Sequence, residues 1–192
     1  MPPASRISLL LLAVANGCMT ANVPEAKQKT EVTALAMDFR ALSPKVDMGE
    51  AQRAADAAVR YPLILAHEYH ATPPAIVNNM LVNAGVHPRG LCFEWADDLT
   101  VKLMTLHLRT LDLHRGVARL DTKREHSCVV VTAAGQNFTN GVALDAWRHC
   151  GKLNWSPVAA DKYPWREVFL SPDLEGELRA AAGKLEAQPP QP

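Results

Sequence analysis

The stretch LCFEWADDLTVKLMTL, residues 91–106, carries the clearest periodic pattern in the chain. Its apolar positions recur with the spacing of one helical face, and they are Leu91, Trp95, Leu99, Leu103 and Leu106. The pattern predicts an amphipathic helix that buries this stripe and begins just after Gly90. Cys92 would then stand in the first turn, where unpaired backbone N–H groups and the helix dipole stabilise an anion such as a thiolate.

The sequence before this helix predicts further helices. Asp47 and Glu50 have the spacing of a capping box, and small apolar residues follow them at helical intervals. Pro62 should kink or end this helix, because proline lacks the backbone N–H that a helix interior needs. A second helical stretch follows at 63–70, and a short helix is expected at 75–84.

The sequence after this helix changes to short runs typical of β-strands. Residues 128–133, CVVVTA, and residues 142–144 are joined by a segment with turn-forming glycines, so an antiparallel hairpin is expected. Further strands are expected within 111–117 and 152–155. Ser171 begins a final amphipathic helix, which ends before a disordered tail. Helices first and strands after them predict an α+β fold.

Composition excludes several classes of protein. The chain has 192 residues, of which 48% are hydrophobic and 21% charged, so wholesale disorder is excluded. Twenty basic residues balance twenty acidic ones, which removes the positive charge expected of a nucleic-acid-binding protein. The four cysteines include no C-x-x-C pair, which argues against a zinc ribbon or a thioredoxin-like site.

The amino-terminal sequence predicts export. The apolar run ISLLLLAVA at 7–15 would form a helix of about 14 Å, too short to cross a bilayer, so we expect a signal peptide at 1–17. Residues 13–15 fit an ordinary cleavage site, which would give a secreted or periplasmic protein. Residues 15–18, ANGC, resemble a bacterial lipobox, in which Cys18 is lipidated. The lipobox is favoured because a cysteine directly follows the run, and it predicts a lipoprotein of the cell envelope facing the periplasm. The lipid would be its only membrane attachment.

The rest of the chain is expected to hold one folded domain. Residues 18–45 are mostly polar and predict a tether and a short lead-in. The domain itself is expected over 46–170, followed by the helix and tail at 171–192.

Three residues form a candidate catalytic set. Cys92 opens the central helix, His126 begins one strand of the expected hairpin, and Asp145 ends the other. Because the start of one hairpin strand lies beside the end of its partner, His126 and Asp145 should be neighbours. Packing the central helix across that edge would bring the thiol to the imidazole, giving a nucleophile, a base and an orienting acid.

The order and placement of these residues resemble the transglutaminase-like branch of the papain-like cysteine enzymes. GLCFEWADDLTVKL at 90–103 is similar to the G-x-C-x-x-x-A-x-x-L pattern of that branch, and the likeness covers about 74–157. Asp145 followed by Ala146-Trp147 is similar to its Asp box. The Cys-to-His gap is shorter than usual, and no aromatic residue follows His126.

The resemblance implies a papain-like fold and a cysteine hydrolase or acyltransferase that cleaves a peptide or amide bond through a thioester. It implies no cofactor, and the location suggests a peptide or cell-wall peptide as substrate. Asn83 and the backbone N–H of Cys92 are candidates for the oxyanion hole. Two alternatives stay open: a catalytically inactive member of the same fold that serves as a binding or scaffolding module, and a structural lipoprotein with no site.

The remaining cysteines and histidines have alternative interpretations. Cys128 and Cys150 are either a disulfide or two buried thiols. Together with His126 and His149 they could form a zinc site, but their spacing fits no standard pattern. The segment HEYH at 67–70 has its histidines three positions apart, whereas the zinc-binding H-E-x-x-H motif needs four. We therefore expect no metal centre.

Overall fold

The computed structural model describes residues 23–188, and the predicted signal peptide at 1–17 and Cys18 lie outside the described residues. The described part is an α+β fold of five α-helices and one five-stranded antiparallel sheet, which confirms the predicted class. The helices are α1 (Glu25–Ala41), α2 (Met48–Glu68), α3 (Ala75–Asn83), α4 (Cys92–Met104) and α5 (Pro172–Glu186). The strands are β1 (Leu111–Ala118), β2 (His126–Ala133), β3 (Val142–Asp145), β4 (Asn154–Pro157) and β5 (Trp165–Val168). None of the described helices is both long and apolar enough to cross a membrane.

The sheet has the strand order β4-β3-β2-β1-β5, and every neighbouring pair is antiparallel. The predicted hairpin is confirmed, with Val130 opposite Ala143 in the β2–β3 ladder. Strand β4 extends the sheet beyond β3 close to where the sequence predicts it. Strand β5 was not expected, and it pairs with β1 at the other edge. The all-valine centre of β2 is buried on both faces, as befits the middle strand.

The main core lies between the helices and one face of the sheet. The predicted stripe of α4 packs there, with Trp95, Leu99 and Leu103 almost fully buried. A smaller cluster occupies the opposite face and is closed by loop residues and by the start of β5. Its members are Ala118, Cys128, Val130, Phe138, Ala143, Val158 and Trp165. The alternation of β2 divides the two cores, since Val129 and Val131 belong to the first, and Cys128 and Val130 to the second.

Helix α1 corrects the predicted start of the domain. Residues 25–41 form an ordered 17-residue helix where the sequence suggests mainly a tether and lead-in. Its positions Val32, Leu35, Ala36 and Phe39 have helical spacing and are buried in the main core. The polar residues between them mask this stripe when composition alone is considered. The boundary at 46 therefore lies inside the folded unit.

Helix α2 corrects the expectation at Pro62. One helix runs from Met48 to Glu68 with Pro62 inside it, and no second helix begins at 63. Buried residues continue on both sides of the proline, among them Ala58, Leu65 and Ala66. A proline inside a helix costs about 3 kcal/mol. Burial of several side chains along this face offsets that cost, so the helix continues.

Glu50 holds the end of the α4–β1 connection against α2. Asp47 caps the helix by accepting from the Glu50 backbone N–H at 2.8 Å, which is one half of the predicted capping box. The Glu50 carboxylate does not bond back to Asp47. It accepts from Arg109 N at 3.0 Å, Thr110 N at 2.8 Å and Thr110 Oγ1 at 2.7 Å, although Glu50 is only 7% exposed. Burial acts to raise the pKa of Glu50, but these hydrogen bonds outweigh it and leave the pKa lowered.

We expect Glu50→Gln to lower the free energy of unfolding by roughly 2 kcal/mol at pH 7, because a carboxamide cannot accept all of these bonds. The lowered pKa adds a pH dependence. The stability that the ionised Glu50 carboxylate contributes is present above its unfolded pKa near 4.5. It is lost as pH falls through the pKa of Glu50 in the folded state. Urea unfolding at pH 7 and pH 4 measures both effects. Glu68→Gln, at the exposed end of α2, is the matched control. Equal stability of the two variants would contradict the assigned role of Glu50.

Candidate active site

The thiol of Cys92 stands at the first residue of α4, as the sequence predicts. The side chains of Glu94 and Asn78 hold the turn before Cys92 by hydrogen bonds. The Glu94 carboxylate accepts from the backbone N–H groups of Gly90 at 2.7 Å and Leu91 at 2.9 Å. The buried Asn78 amide donates to Gly90 O at 3.2 Å. Gly90 has φ of +129°, a backbone conformation that only glycine adopts readily, so the turn before Cys92 requires a glycine at this position. Cys92 is half-buried and remains accessible.

His126 and Asp145 form a buried hydrogen-bonded pair. His126 Nε2 lies 2.7 Å from Asp145 Oδ2, and the two residues are 3% and 1% exposed. The ladder explains the contact: Val129 pairs with Leu144, so one further step places Asp145 opposite Cys128 and diagonal to His126. Diagonal neighbours on one face of a sheet are within reach of long side chains. The structure thus brings together the two strand residues that the sequence singles out.

The other imidazole nitrogen is not engaged by Asp145. Nδ1 of His126 is buried and makes no hydrogen bond among residues 23–188. The Cys92 thiol donates to the backbone oxygen of Glu125, the residue before His126, at 3.8 Å. The thiol is close enough that its charge contributes to the pKa of His126. Nδ1 is therefore the nitrogen left free to exchange a proton with the thiol.

The surroundings of His126 favour its charged form. Burial acts to lower the pKa of the imidazole, but the hydrogen bond with Asp145 and Coulombic attraction from Asp145 and Cys92 outweigh it and raise the pKa from 6.5 to about 9. An imidazolium at neutral pH is what a neighbouring thiolate would need as its counter-ion.

Asp145 is itself held in place by Arg148. The Arg148 guanidinium donates to Asp145 Oδ2 at 2.9 Å, and the Arg148 backbone N–H donates to Oδ1 at 3.1 Å. The same guanidinium bonds Asp161 at 3.1 and 3.2 Å, and Ser156 donates to Asp161 at 2.6 Å. Buried carboxylates need such partners. Arg148 follows Asp145 by three residues, but no pattern in the sequence marked it as part of the site.

Three aromatic rings enclose the imidazole. The ring centroids of Trp147, Tyr163 and Trp165 lie 4.6, 4.7 and 5.2 Å from that of His126. The structure places Trp147 and Trp165 beside His126, whereas Trp95 is in the core as expected. Rings at these distances fix the imidazole plane and exclude water from the bond to Asp145.

Asn79, rather than Asn83, bonds an aromatic residue that packs on His126. Asn83 is exposed at the last residue of α3, and its side chain forms no hydrogen bond within the described part of the chain. Asn79, one turn earlier, accepts from Trp147 Nε1 at 2.8 Å. That bond engages only its oxygen, and its Nδ2 makes no hydrogen bond among residues 23–188. The sequence signal was the polar pair Asn78-Asn79 inside an otherwise apolar helix.

Cys128 and Cys150 are free, buried thiols and not a disulfide. They belong to the two different cores on opposite faces of the sheet, which keeps them apart and also argues against a shared zinc site. Burial raises the pKa of Cys150 to about 11 and that of Cys128 well above its usual value. Cys92 is therefore the only accessible thiol among residues 23–188.

Comparison with protein-family models, with curated proteins and with solved structures gave no match. The function of the chain is therefore inferred from the arrangement of Cys92, His126 and Asp145 and from their surroundings.

Proposed function

We propose that this protein is a cysteine hydrolase or acyltransferase that acts on a peptide or amide bond. The observation that supports this most strongly is the buried bond of 2.7 Å between His126 Nε2 and Asp145, with Nδ1 left without a partner and Cys92 close enough to influence the pKa of the imidazole. A base oriented by a carboxylate and next to a nucleophile is the arrangement that acyl transfer requires. A structural ion pair would not need an accessible thiol at a helix N-terminus.

The reaction follows from these positions. His126 Nδ1 accepts the proton of the Cys92 thiol, and the sulfur attacks the amide carbonyl. The tetrahedral intermediate collapses to a thioester as His126 gives its proton to the leaving amine. Water or a second amine then attacks the thioester and releases the thiol. Asp145 holds the tautomer and the ring orientation throughout.

Two donors are assigned to the oxyanion. The backbone N–H of Cys92 lies in the first turn of α4, where it has no partner within the helix. The second donor is the Asn79 amide, whose oxygen is fixed by Trp147, a residue packed on His126. Asn79 replaces Asn83 in this role. A side chain held by one bond with its other end free is pre-organised for a developing negative charge.

The proposal also covers the fold family, the location and the substrate class of the protein. The order of Cys, His and Asp on a helix and two adjacent strands supports a papain-like core of the transglutaminase-like type. The lipobox-like ANGC at 15–18 supports a lipoprotein of the bacterial cell envelope. A peptide or cell-wall peptide is the substrate class that such a location favours.

Alkylation of Cys92 tests the proposed dyad without a known substrate. We expect iodoacetamide to modify Cys92 at pH 6 about 30-fold faster in the wild type than in His126→Gln, because an isolated thiol is hardly ionised at that pH. The rate is followed on the Cys92 peptide by mass spectrometry. His149→Gln is the control, since His149 is an exposed histidine close in sequence to Asp145. Circular dichroism establishes that each variant is folded.

The wild-type pH profile provides a second measurement if His126→Gln does not fold. A paired thiol keeps its alkylation rate down to pH 6, whereas an ordinary thiol loses about tenfold per pH unit below 8.5. An ordinary profile would contradict the enzyme proposal. It would favour the alternative, an inactive member of the same fold that serves as a binding or scaffolding module.

A further inference from the structure

Two cations lie against the aromatic ring that packs on the imidazole. Arg119 Cζ is 5.5 Å and Lys162 Nζ is 5.4 Å from the ring centroid of Tyr163, on residues that are both exposed. The Tyr163 ring is 4.7 Å from that of His126. Neither cation has a carboxylate within 4.0 Å among residues 23–188. The close ion pairs in this region are instead those of Arg148 with Asp145 and Asp161, which are buried. Two cations without a close carboxylate partner thus lie against a ring that packs on His126.

The other charges nearby do not neutralise this pair. Arg148 also lies on the Tyr163 ring, at 4.9 Å, but it is bound to two buried carboxylates. Asp121 and Glu125 belong to the β1–β2 loop that carries Arg119. The Glu125 carboxylate accepts from the Asp121 backbone, and neither acid forms an ion pair with the two cations. No carboxylate in the described part of the chain therefore forms a close ion pair with Arg119 or Lys162.

The backbone that presents Arg119 is constrained. Arg119 has φ of +56°, a left-handed conformation that is uncommon for a long side chain. Its carbonyl accepts from Thr122 N at 3.2 Å and Thr122 Oγ1 at 2.7 Å. The preceding residue, Ala118, is paired with Trp165 of β5. The cation is thus carried on an ordered turn that follows directly from the sheet.

We propose that Arg119 and Lys162 form a subsite that binds a carboxylate of the substrate, so that this enzyme prefers acidic peptides. The inference rests on the proposed function, because it takes the molecule that Cys92 attacks as the one that carries the carboxylate. Unpaired cations on an aromatic ring suit a carboxylate, which an arginine binds through two parallel hydrogen bonds.

The test compares two alkylating agents that differ by one charge. Iodoacetate is anionic and iodoacetamide is neutral, and in both the Cys92 sulfur displaces iodide from the methylene carbon. Iodoacetate leaves a carboxymethyl group on the sulfur, and iodoacetamide leaves a carbamoylmethyl group. The measured quantity is the rate with iodoacetate divided by the rate with iodoacetamide, on the full chain at pH 7. We expect this ratio to fall about threefold in Arg119→Gln or Lys162→Gln and about tenfold in the double variant. Arg166→Gln is the matched control, since Arg166 is exposed on β5 next to Trp165 and should leave the ratio unchanged. Added salt should lower the wild-type ratio but not that of the double variant.

The outcomes separate the two proposals. If alkylation depends on His126 but the ratio is the same in the wild type and the double variant, the carboxylate subsite is wrong and the cysteine site stands. If alkylation is independent of His126 and has an ordinary pH profile, the proposed function is wrong and the subsite falls with it. If Arg166→Gln lowers the ratio as much as the double variant does, the effect comes from net charge, which also overturns the subsite.

Discussion

Replacing Asp145 with alanine is expected to remove about 3–5 kcal/mol from the free energy of unfolding, the largest loss that we expect from one substitution here. The change leaves the charges of His126 and Arg148 buried without their shared partner. Such a loss is a large part of the 5–15 kcal/mol that holds a typical domain together. Urea unfolding followed by circular dichroism measures it. Asp38→Ala is the control, because Asp38 is exposed and accepts a single bond from Trp155, and it should cost less than about 1 kcal/mol.

The pH dependence separates the charge of Asp145 from its shape. The pKa of His126 is raised from 6.5 to about 9, so its contribution to stability is complete below pH 6.5 and is lost as pH rises towards 9. Asp145→Asn keeps the shape of the side chain but removes the negative charge that helps to raise the pKa of His126. We therefore expect the difference in stability between the wild type and Asp145→Asn to shrink by up to about 3 kcal/mol between pH 6.5 and 9. A difference independent of pH would contradict the charged pair.

The elements that the sequence predicts well are those whose pattern is local. The stripe of α4 repeats over four turns, and the CVVVTA run with a following glycine turn specifies a hairpin, so Cys92, His126 and Asp145 could be placed relative to one another. The antiparallel register does the rest, because it fixes which residues are neighbours across the strands. The place of each residue within its own helix or strand follows from periodicity and turn chemistry.

The rest of the site depends on contacts between distant segments. Strand β5 has only four residues and no alternating pattern, so nothing local indicated that Tyr163 and Trp165 would pack on His126. Arg148 and Asp161 form a buried network whose members show no common spacing. The continuity of α2 through Pro62 likewise depends on burial against other elements, which overrides the local preference of proline.

Asn79→Ala is expected to slow acylation of Cys92 by a p-nitrophenyl ester about 10²–10³-fold relative to its alkylation by iodoacetamide. Ester acylation passes through a tetrahedral oxyanion, which the Asn79 amide is proposed to stabilise. Alkylation displaces iodide at a saturated carbon and forms no oxyanion. The ratio of the two rates therefore reports the oxyanion hole separately from the reactivity of the thiol. The nitrophenolate burst and the mass of the Cys92 peptide supply the two rates.

Two further variants test whether the oxyanion donor is Asn79 and whether its bond to Trp147 positions it. Asn83→Ala should keep the wild-type ratio, because Asn83 is exposed at the end of α3 and makes no side-chain hydrogen bond in the described part of the chain. Trp147→Phe should lower the ratio less than Asn79→Ala does, since it keeps the ring beside His126 but removes the N–H that holds the amide. If Asn83→Ala lowered the ratio and Asn79→Ala did not, the donor would be the residue that the sequence suggested first. Because both asparagines lie on α3 one turn apart, the comparison also tests whether the contact between Asn79 and Trp147 aligns this helix with the dyad.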